Sequence, residues 1–491
     1  MSRQQETSYD LAVIGAGSGG YAAALAAARL GRSVLLVEKS DTLGGNAVRC
    51  GVNVWEPGAG GTGIPFDLYT RIKRDEPGAI GVYSFGRHML DHDPEQGGRP
   101  FPGGEQVIDP ARCYRDTLQR HGTKGLKHDM ARCRSLWHGV PFEPWTMHRA
   151  MAALLAETGR CEVRFNVGFD RVAMRDAAIE HVVLSDATAV RAHSYVDGTA
   201  DGWLCLAAGC AAREGEDTRA DFGEPDAPEQ PTGNINGVTL VYRITPAADE
   251  AVEPLPAETP AACWWRERFP VASFTQYPNG DYNVNMLPTM EGHAFRQMLY
   301  ADVYAECTRR VRAHWHDLQQ HVPEFRRYRM SWIAPGLGVR ESRRIICDYM
   351  LTEHDLLAGL AGQRHADIIA IADHAMDTHG RHIARGCAEL DAPYGVPLRC
   401  LLPRGVTNLM IACRAAGFSA LAASSCRLSR TMMQLGQAAG TAAALACEAD
   451  CSLRDVPAER LRASLRKQHV MLDWRMPTLH LAGERYPVGK C

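Results

Sequence analysis

No two of the 16 cysteines stand in a CxxC spacing, and they are scattered along the 491-residue chain. That argues against an iron–sulfur cluster or a cysteine zinc site and suits a reducing compartment. HExxH is missing, and no carboxylate cluster marks a metal. No GxSxG stands between a strand and a helix, which removes the elbow of a serine hydrolase. Charge of either sign is not in excess: the formal net charge is −3. Electrostatics therefore offer no ground for nucleic acid or an anionic membrane as partner. Internal repeats and long low-complexity tracts are absent. One long apolar run exists, Leu11 to Leu30, but Arg3 before it is offset by Glu6 and Asp10, so no basic flank precedes it. Glycines interrupt it where a membrane helix would be continuous. It is read as neither leader nor span, and the protein as cytoplasmic.

Those glycines carry the strongest signal present. LAVIGAGSGGYAAALAAARLGRSVLLVE, residues 11–38, reads as strand, glycine turn, alanine-rich helix and second strand closed by an acid. Gly15, Gly17 and Gly20 form GxGxxG, and Glu38 follows at roughly the 20-residue spacing of a dinucleotide fingerprint. Gly15 makes the tight turn, Gly17 admits a pyrophosphate to the backbone, and Gly20 lets helix and sheet pack closely. Ser18 and Gly19 lie in the same turn, at a helix N-terminus whose free N–H groups and partial positive charge favour phosphate. Glu38, with Lys39 beside it, would accept hydrogen bonds from a ribose 2′-hydroxyl.

A chain of 491 residues implies two or three folding units, and 45% hydrophobic with 23% charged residues is a globular composition. Regular patterns fall in three blocks, and the segments between them are rich in turn signals. The expected division is a nucleotide domain from residues 1–55, 146–211 and 396–450. Residues 56–145 and 212–395 would form an inserted substrate or cap domain, and 451–491 a C-terminal extension.

Further matches lie downstream in order. Leu43-Gly44-Gly45-Asn46 follows the second strand, as in flavoproteins where a Gly-Gly pair passes the flavin. Tyr195-Val196-Asp197-Gly198-Thr199-Ala200-Asp201-Gly202 resembles an ATGDG-type strand end that closes over the nucleotide. Thr407 to Arg414 resembles the late strand beside the ribityl chain, and Gln434 to Thr441 is expected to open an alanine-rich helix. With Gly336-Leu337-Gly338-Val339-Arg340-Glu341-Ser342-Arg343-Arg344, Asp348 and YMLTEHDLL, the chain resembles the FAD-dependent oxidoreductases of the glutathione-reductase structural type. That group includes xanthan-lyase-like enzymes and the flavoprotein subunit of heterodisulfide reductase.

The resemblance implies an α/β protein: a discontinuous Rossmann-type FAD-binding domain with an inserted α+β substrate domain. It implies FAD as cofactor, a small-molecule substrate, and an external electron acceptor or oxygen. The cofactor-binding positions it adds are Gly44, Gly45, Asn46, Val172, Gly198, Thr199, Asp201, Arg414, Gly436, Gln437 and Ala438. The last three would turn N–H groups toward the flavin pyrimidine edge. The implied reaction passes a hydride between flavin N5 and a CH–OH, CH–NH or CH–CH unit. A monooxygenase using external NAD(P)H, an electron-transfer subunit and a non-catalytic flavin sensor are the alternatives. Disulfide reductases carry CxxxxC just after the Gly-Gly turn, but Ala47 and Val52 occupy those positions here, so a thiol relay there is not expected. Nor does a second GxGxxG supply a built-in NAD(P)H domain.

Three residues are candidates for chemistry. Cys50, five residues past Gly45, could tether FAD, act as an acid or fill space. Arg340 could clamp a substrate carboxylate or developing negative charge, with Glu341 a candidate base; the alternative for this cluster is a solvated or self-paired face. The loop Asn53 to Gly63 is expected near the ligand. Arg326, Arg327 and Arg329 read as an exposed helix face. His88 with His92, and His314 with His316, read as surface or core residues rather than metal ligands, and Trp264-Trp265 as core or pocket wall.

Overall fold

A computed structural model describes residues 6–55, 62–79, 82–83, 140–260, 263, 272–286, 288–378, 387–388, 390 and 392–473. His88, His92, Trp264, Trp265 and most of the loop after Trp55 lie outside them.

The N-terminal fingerprint forms the unit its pattern demands. Strand β1 (Glu6–Ile14) leads through the glycine turn into helix α1 (Ser18–Arg29), which returns to β2 (Val34–Glu38). Every residue of β2 is buried, as a strand covered on both faces by helices must be. Helix α1 is buried from Gly19 to Ala28 on all sides. Alanine suits such a place, combining the best helix propensity with the smallest side chain.

Around β1 and β2 runs a seven-stranded sheet. Its members are β3 (Cys161–Phe165), β4 (Phe169–Arg175), β5 (Ala178–Leu184) and β6 (Ala189–Asp197). The order is β3-β2-β1-β6-β5-β4, and the late strand Leu409–Ile411 pairs with the end of β6. The inner pairs β1–β2, β1–β6 and β2–β3 are parallel, and β4 and β5 add an antiparallel meander. In register, Ile14 faces Val37 on one side and Asp197 on the other, and Ile411 faces Asp197. Three sequence-distant blocks thus end at one edge of one sheet, the Rossmann-type arrangement.

A second sheet is wholly antiparallel: β7 (Tyr242–Pro246), β8 (Ala272–Gln276), β9 (Tyr282–Met286) and β10 (Tyr328–Ile333), in the order β10-β7-β9-β8, with the short strand Val82–Tyr83 on β8. Helix α2 (Tyr300–His321) covers it with a stripe that includes Val303, Cys307, Val311, Trp315 and Leu318. Arg326 and Arg327 lie in a 3₁₀ turn and Arg329 on β10 rather than on one helix face.

The two cores sort the chain differently from the expected division. The second holds buried residues from Val238 to Val339. The first takes buried residues from Ile345 through Tyr394, which fall in the stretch expected to form the cap. It also takes Ile64, Leu68, Tyr69 and Ile72 of the helix Ile64–Asp75, and Leu461, Leu465, Val470 and Leu472 of the expected extension. Amphipathic segments show in sequence that they bury one face, but not against which partner.

Helix α3 (Ser429–Ala449) lies on α1 with almost no side chain between them. A Cβ on Gly436 would fall 2.0 Å from the Gly19 carbonyl oxygen, and one on Gly440 2.0 Å from that of Ala23. Gly440→Val should therefore lower stability by about 3 kcal/mol, read as a shift in the denaturation midpoint. Gly78→Ala, where nothing lies within 4 Å, should leave it nearly unchanged. Equal midpoints for both variants would contradict the helix contact.

Candidate active site

The sheet edge where the three blocks meet is built from backbone. Gly15 has φ of +95°, and a Cβ there would lie 2.4 Å from the Gly198 carbonyl oxygen. Its N–H donates to the Val37 carbonyl at 2.7 Å, and the Gly198 N–H donates to that of Ile14 at 2.7 Å. Gly17 is the N-cap of α1, with no side chain capping the helix and no acid in its first turn. The N–H groups of Ser18, Gly19 and Gly20 are those a helix start leaves without intrahelical partners. A Cβ on Gly17 would meet only the Gly198 carbonyl oxygen, at 3.8 Å. The turn is thus closed on its inner side and open on its outer side, as a pyrophosphate cradle requires.

Glu38 is 9% exposed. One oxygen accepts the Ala16 N–H at 2.8 Å; the other accepts the N–H and hydroxyl of Ser40 at 2.9 and 2.8 Å. The carboxylate is held at the turn, where a ribose would lie; Lys39 is exposed beside it. The Gly44 N–H donates to the Ala16 carbonyl at 2.8 Å, and Gly17 and Gly44 form a parallel bridge. The Gly44–Gly45 turn therefore stacks directly on the phosphate turn.

Asp197 is the residue whose function sequence reading missed. It is 0% exposed, and burial pushes its carboxyl above the usual carboxylate range. One oxygen accepts the Thr199 N–H and hydroxyl at 2.9 and 2.6 Å, the other the Cys205 N–H at 2.8 Å. An acid closing the apolar run SYV was the available signal. Thr199 is thereby turned inward. Asp201 takes the Arg414 guanidinium and the Ser342 hydroxyl, each at 2.5 Å, so it ties the segment after β6 to the late strand and to the loop after Gly338. Arg414 Nε is buried with no hydrogen-bond partner among the described residues.

Not every expected position arrives here. Val172 lies on β4, separated from Glu38 on β2 by β5, β6 and β1; the antiparallel meander carries it to the far edge. The segment beside Glu38 is instead Asn166–Val167, with the Val167 N–H on the Glu38 carbonyl at 3.1 Å. Gly436, Gln437 and Ala438 do not open a helix, because α3 begins at Ser429. Their place is mid-helix, where N–H groups are spent on the preceding turn. The Gln437 amide accepts the Ile64 N–H at 3.1 Å and donates to Gln468 at 3.0 Å.

The three chemistry candidates separate. The Cys50 thiol is buried and donates to the Asn46 side-chain oxygen at 3.4 Å. Burial pushes it up to about 12, which keeps it protonated near neutrality. Glu341, 3% exposed, spends one oxygen on Arg344 at 3.0 Å and the other on the Asn236 N–H at 3.0 Å. Arg344 is 0% exposed and also reaches the Gly215 carbonyl at 2.7 Å and Asp217 at 3.2 Å. The carboxylate expected as a base is an anchor of a buried ion network. Arg340 is only partly buried and donates to the Gly237 carbonyl at 2.9 Å and the Thr239 hydroxyl at 2.6 Å. Just before it, the Val339 carbonyl accepts the Asn46 amide at 3.1 Å, tying this loop of the second unit to the Gly-Gly turn.

His314 bonds the Tyr242 hydroxyl at 2.9 Å and His316 the Glu253 carbonyl at 2.9 Å. No group of three metal-binding side chains occurs among the described residues.

Behind the site, Glu224 accepts the Glu353 N–H at 2.7 Å and the Ser419 hydroxyl, while Glu353 accepts the Asp226 N–H at 3.1 Å. Burial, first, and neighbouring carboxylates raise Glu353 to about 7, and Glu224 moves the same way. A carboxyl whose folded pKa is raised contributes stability that is full below its ordinary pKa and lost as pH rises through the folded value. Between pH 5 and pH 8 the wild-type midpoint in urea should fall, and Glu353→Gln should flatten that fall. A variant as pH-dependent as the wild type would contradict this.

The family model for FAD dependent oxidoreductase matches residues 10–465. Two curated relatives share a local match. Dihydrolipoyl dehydrogenase of Manduca sexta is 53% identical over 53 residues, 10% of this chain and 11% of that protein. Mercuric reductase of Streptomyces lividans is 54% identical over 48 residues, 10% of each. The chain thus spans about a tenth of the length of the curated relatives it matches. A geranylgeranyl bacteriochlorophyll reductase-like structure from Thermoplasma acidophilum is similar at TM-score 0.42 and 14% identity, over 95% of this chain and 84% of that one. Among the described residues, no helix is long and apolar enough to cross a membrane. With the family model covering most of its length and an open glycine cradle at its sheet edge, the chain belongs to the FAD dependent oxidoreductase family.

Proposed function

We propose that the enzyme oxidises or reduces a small organic substrate at a CH–OH, CH–NH or CH–CH unit, with Arg340 as its electrostatic clamp. The observation that carries this is the Asn46–Val339 hydrogen bond. It joins the Gly-Gly turn to the loop that carries Arg340, which supports a site that includes both.

The residues present fit FAD. Ser18, Gly19 and Gly20 would hold the pyrophosphate, Glu38 the ribose, and Arg414 with the Gly198–Asp201 turn the ribityl side. When bound, FAD supplies the two-electron acceptor or donor to which a substrate carbon passes, or from which it takes, a hydride. The chain's own part is orientation and charge. Arg340 donates to the Gly237 carbonyl and the Thr239 hydroxyl, which fix its guanidinium as a positive charge toward substrate anionic oxygen. Cys50, protonated and packed against Gly336, shapes the floor. With Ala47 and Val52 in place of the thiol pair, the nucleotide domain follows the glutathione-reductase arrangement without its disulfide relay.

Mixing the yellow holoenzyme anaerobically with small alcohols, amines and sugars should bleach the flavin band with one class. NAD(P)H consumption with oxygen incorporation would instead establish a monooxygenase. Arg340→Met should keep FAD yet lose about 100-fold in kcat/KM, roughly 2.7 kcal/mol of transition-state stabilisation; full turnover with FAD bound would reject the clamp. Gly17→Val places its side chain in open space, so its circular dichroism should match wild type while FAD affinity falls about 100-fold. Unaltered affinity by flavin titration would move the pyrophosphate elsewhere.

A further inference from the structure

The helix Trp203–Ala207, just past the Asp201-Gly202 turn, ends in a Schellman turn. The Gly209 N–H donates to the Leu206 carbonyl and the Cys210 N–H to that of Cys205, both at 2.9 Å, with Gly209 at φ +83°. This motif brings together the side chains of the third residue before the cap and the second after it, usually two apolar groups. Here both are cysteines, in a CxxxxC spacing. Their thiols are free, 0% and 5% exposed, and near enough to shift each other's titration.

Packing alone would ask only that the pair be apolar. Two observations exceed that. The thiols are unequal in surroundings: Cys205 is wholly buried, which raises its thiol, whereas Cys210 is 5% exposed and has the positive charge of Arg454 near it. One is suited to attack and the other to resolve. The pair is also wired to the nucleotide site. The Cys205 N–H holds the same carboxylate, Asp197, that fixes Thr199 beyond Gly198, and Gly198 packs on Gly15 of the phosphate turn.

We propose that Cys205 and Cys210 form a redox modification site, a dithiol that closes to a disulfide under hydrogen peroxide, is reopened by a dithiol reductant, and steadies the nucleotide turn. The Cys210 thiolate attacks one peroxide oxygen; the O–O bond breaks, water leaves after protonation, and a sulfenic acid remains. The Cys205 sulfur then attacks the sulfenic sulfur; an S–S bond forms, the S–O bond breaks and a second water leaves. The thiols lose two electrons and two protons, which the peroxide takes up in becoming two waters. The closed loop staples the helix end and so fixes the Asp197–Cys205 contact.

The test treats holoprotein with hydrogen peroxide, alkylates it, and maps tryptic peptides without reductant. No Lys or Arg lies between Arg191 and Arg213, so both cysteines share one peptide. That peptide should become two hydrogens lighter and resist alkylation, and dithiothreitol should reverse both changes. Cys205→Ser should leave Cys210 as a sulfenic acid that dimedone traps. FAD should leave the oxidised protein more slowly than the reduced. Cys347 is buried close by and interacts electrostatically with both thiols. A Cys210–Cys347 link, or full alkylation at a peroxide dose that oxidises glutathione in the same tube, would overturn the site. Equal FAD release from both forms would overturn its link to the turn.

Discussion

Backbone meets backbone at the phosphate turn, and the rest of the nucleotide site depends on that contact. Gly15 lies on Gly198; a Cβ on Gly19 would fall 1.8 Å from the Ala412 carbonyl oxygen; Gly436 lies on Gly19. These contacts join residues near 15, 198, 412 and 436, the parts of the chain that sequence alone leaves farthest apart. Side chains at those positions would push the blocks apart and close the cradle, so absence of side chains is here the structural element. What remains is a concave surface of N–H groups with the positive end of α1 behind it.

Carboxylates do the second half of the work, mostly by holding backbone. Glu38 secures Ala16, and Asp197 secures Thr199 and Cys205. Glu341 and Asp217 flank a fully buried Arg344, and Asp217 also accepts the Ala420 N–H at 2.7 Å. A buried ion pair is weak evidence for stability, but removing one partner leaves an uncompensated charge and is strongly destabilising. The network therefore locks the segment after Gly338, and the guanidinium that stays partly accessible, Arg340, is held by its rigid neighbours.

Much of this was legible in residues 11–45, because a dinucleotide turn demands glycine at fixed places and little else satisfies the geometry. Distant contacts were harder to see. RESRR allows a self-paired face, and Arg344 does pair with Glu341, but its full burial also uses Asp217, more than a hundred residues earlier. The start of α3 is hidden in the sequence because its N-cap, Leu428, supplies no capping side chain, while the glycines and alanines that mark the helix stand at its middle. Val172 looked like its neighbours in an alternating strand, and only the strand order shows it at the remote edge. The CxxxxC at Cys205 was visible as a spacing but not as a helix cap. Partner identity, not local conformation, is what the linear pattern withheld.

The most direct measurement is the visible spectrum of the purified chain before and after denaturation. Occupancy of the glycine cradle predicts a flavin spectrum near one equivalent per chain, with FAD, not FMN, identified in the released material by chromatography. Colourless protein that takes up no FAD from an excess, while its circular dichroism shows it folded, would contradict the account.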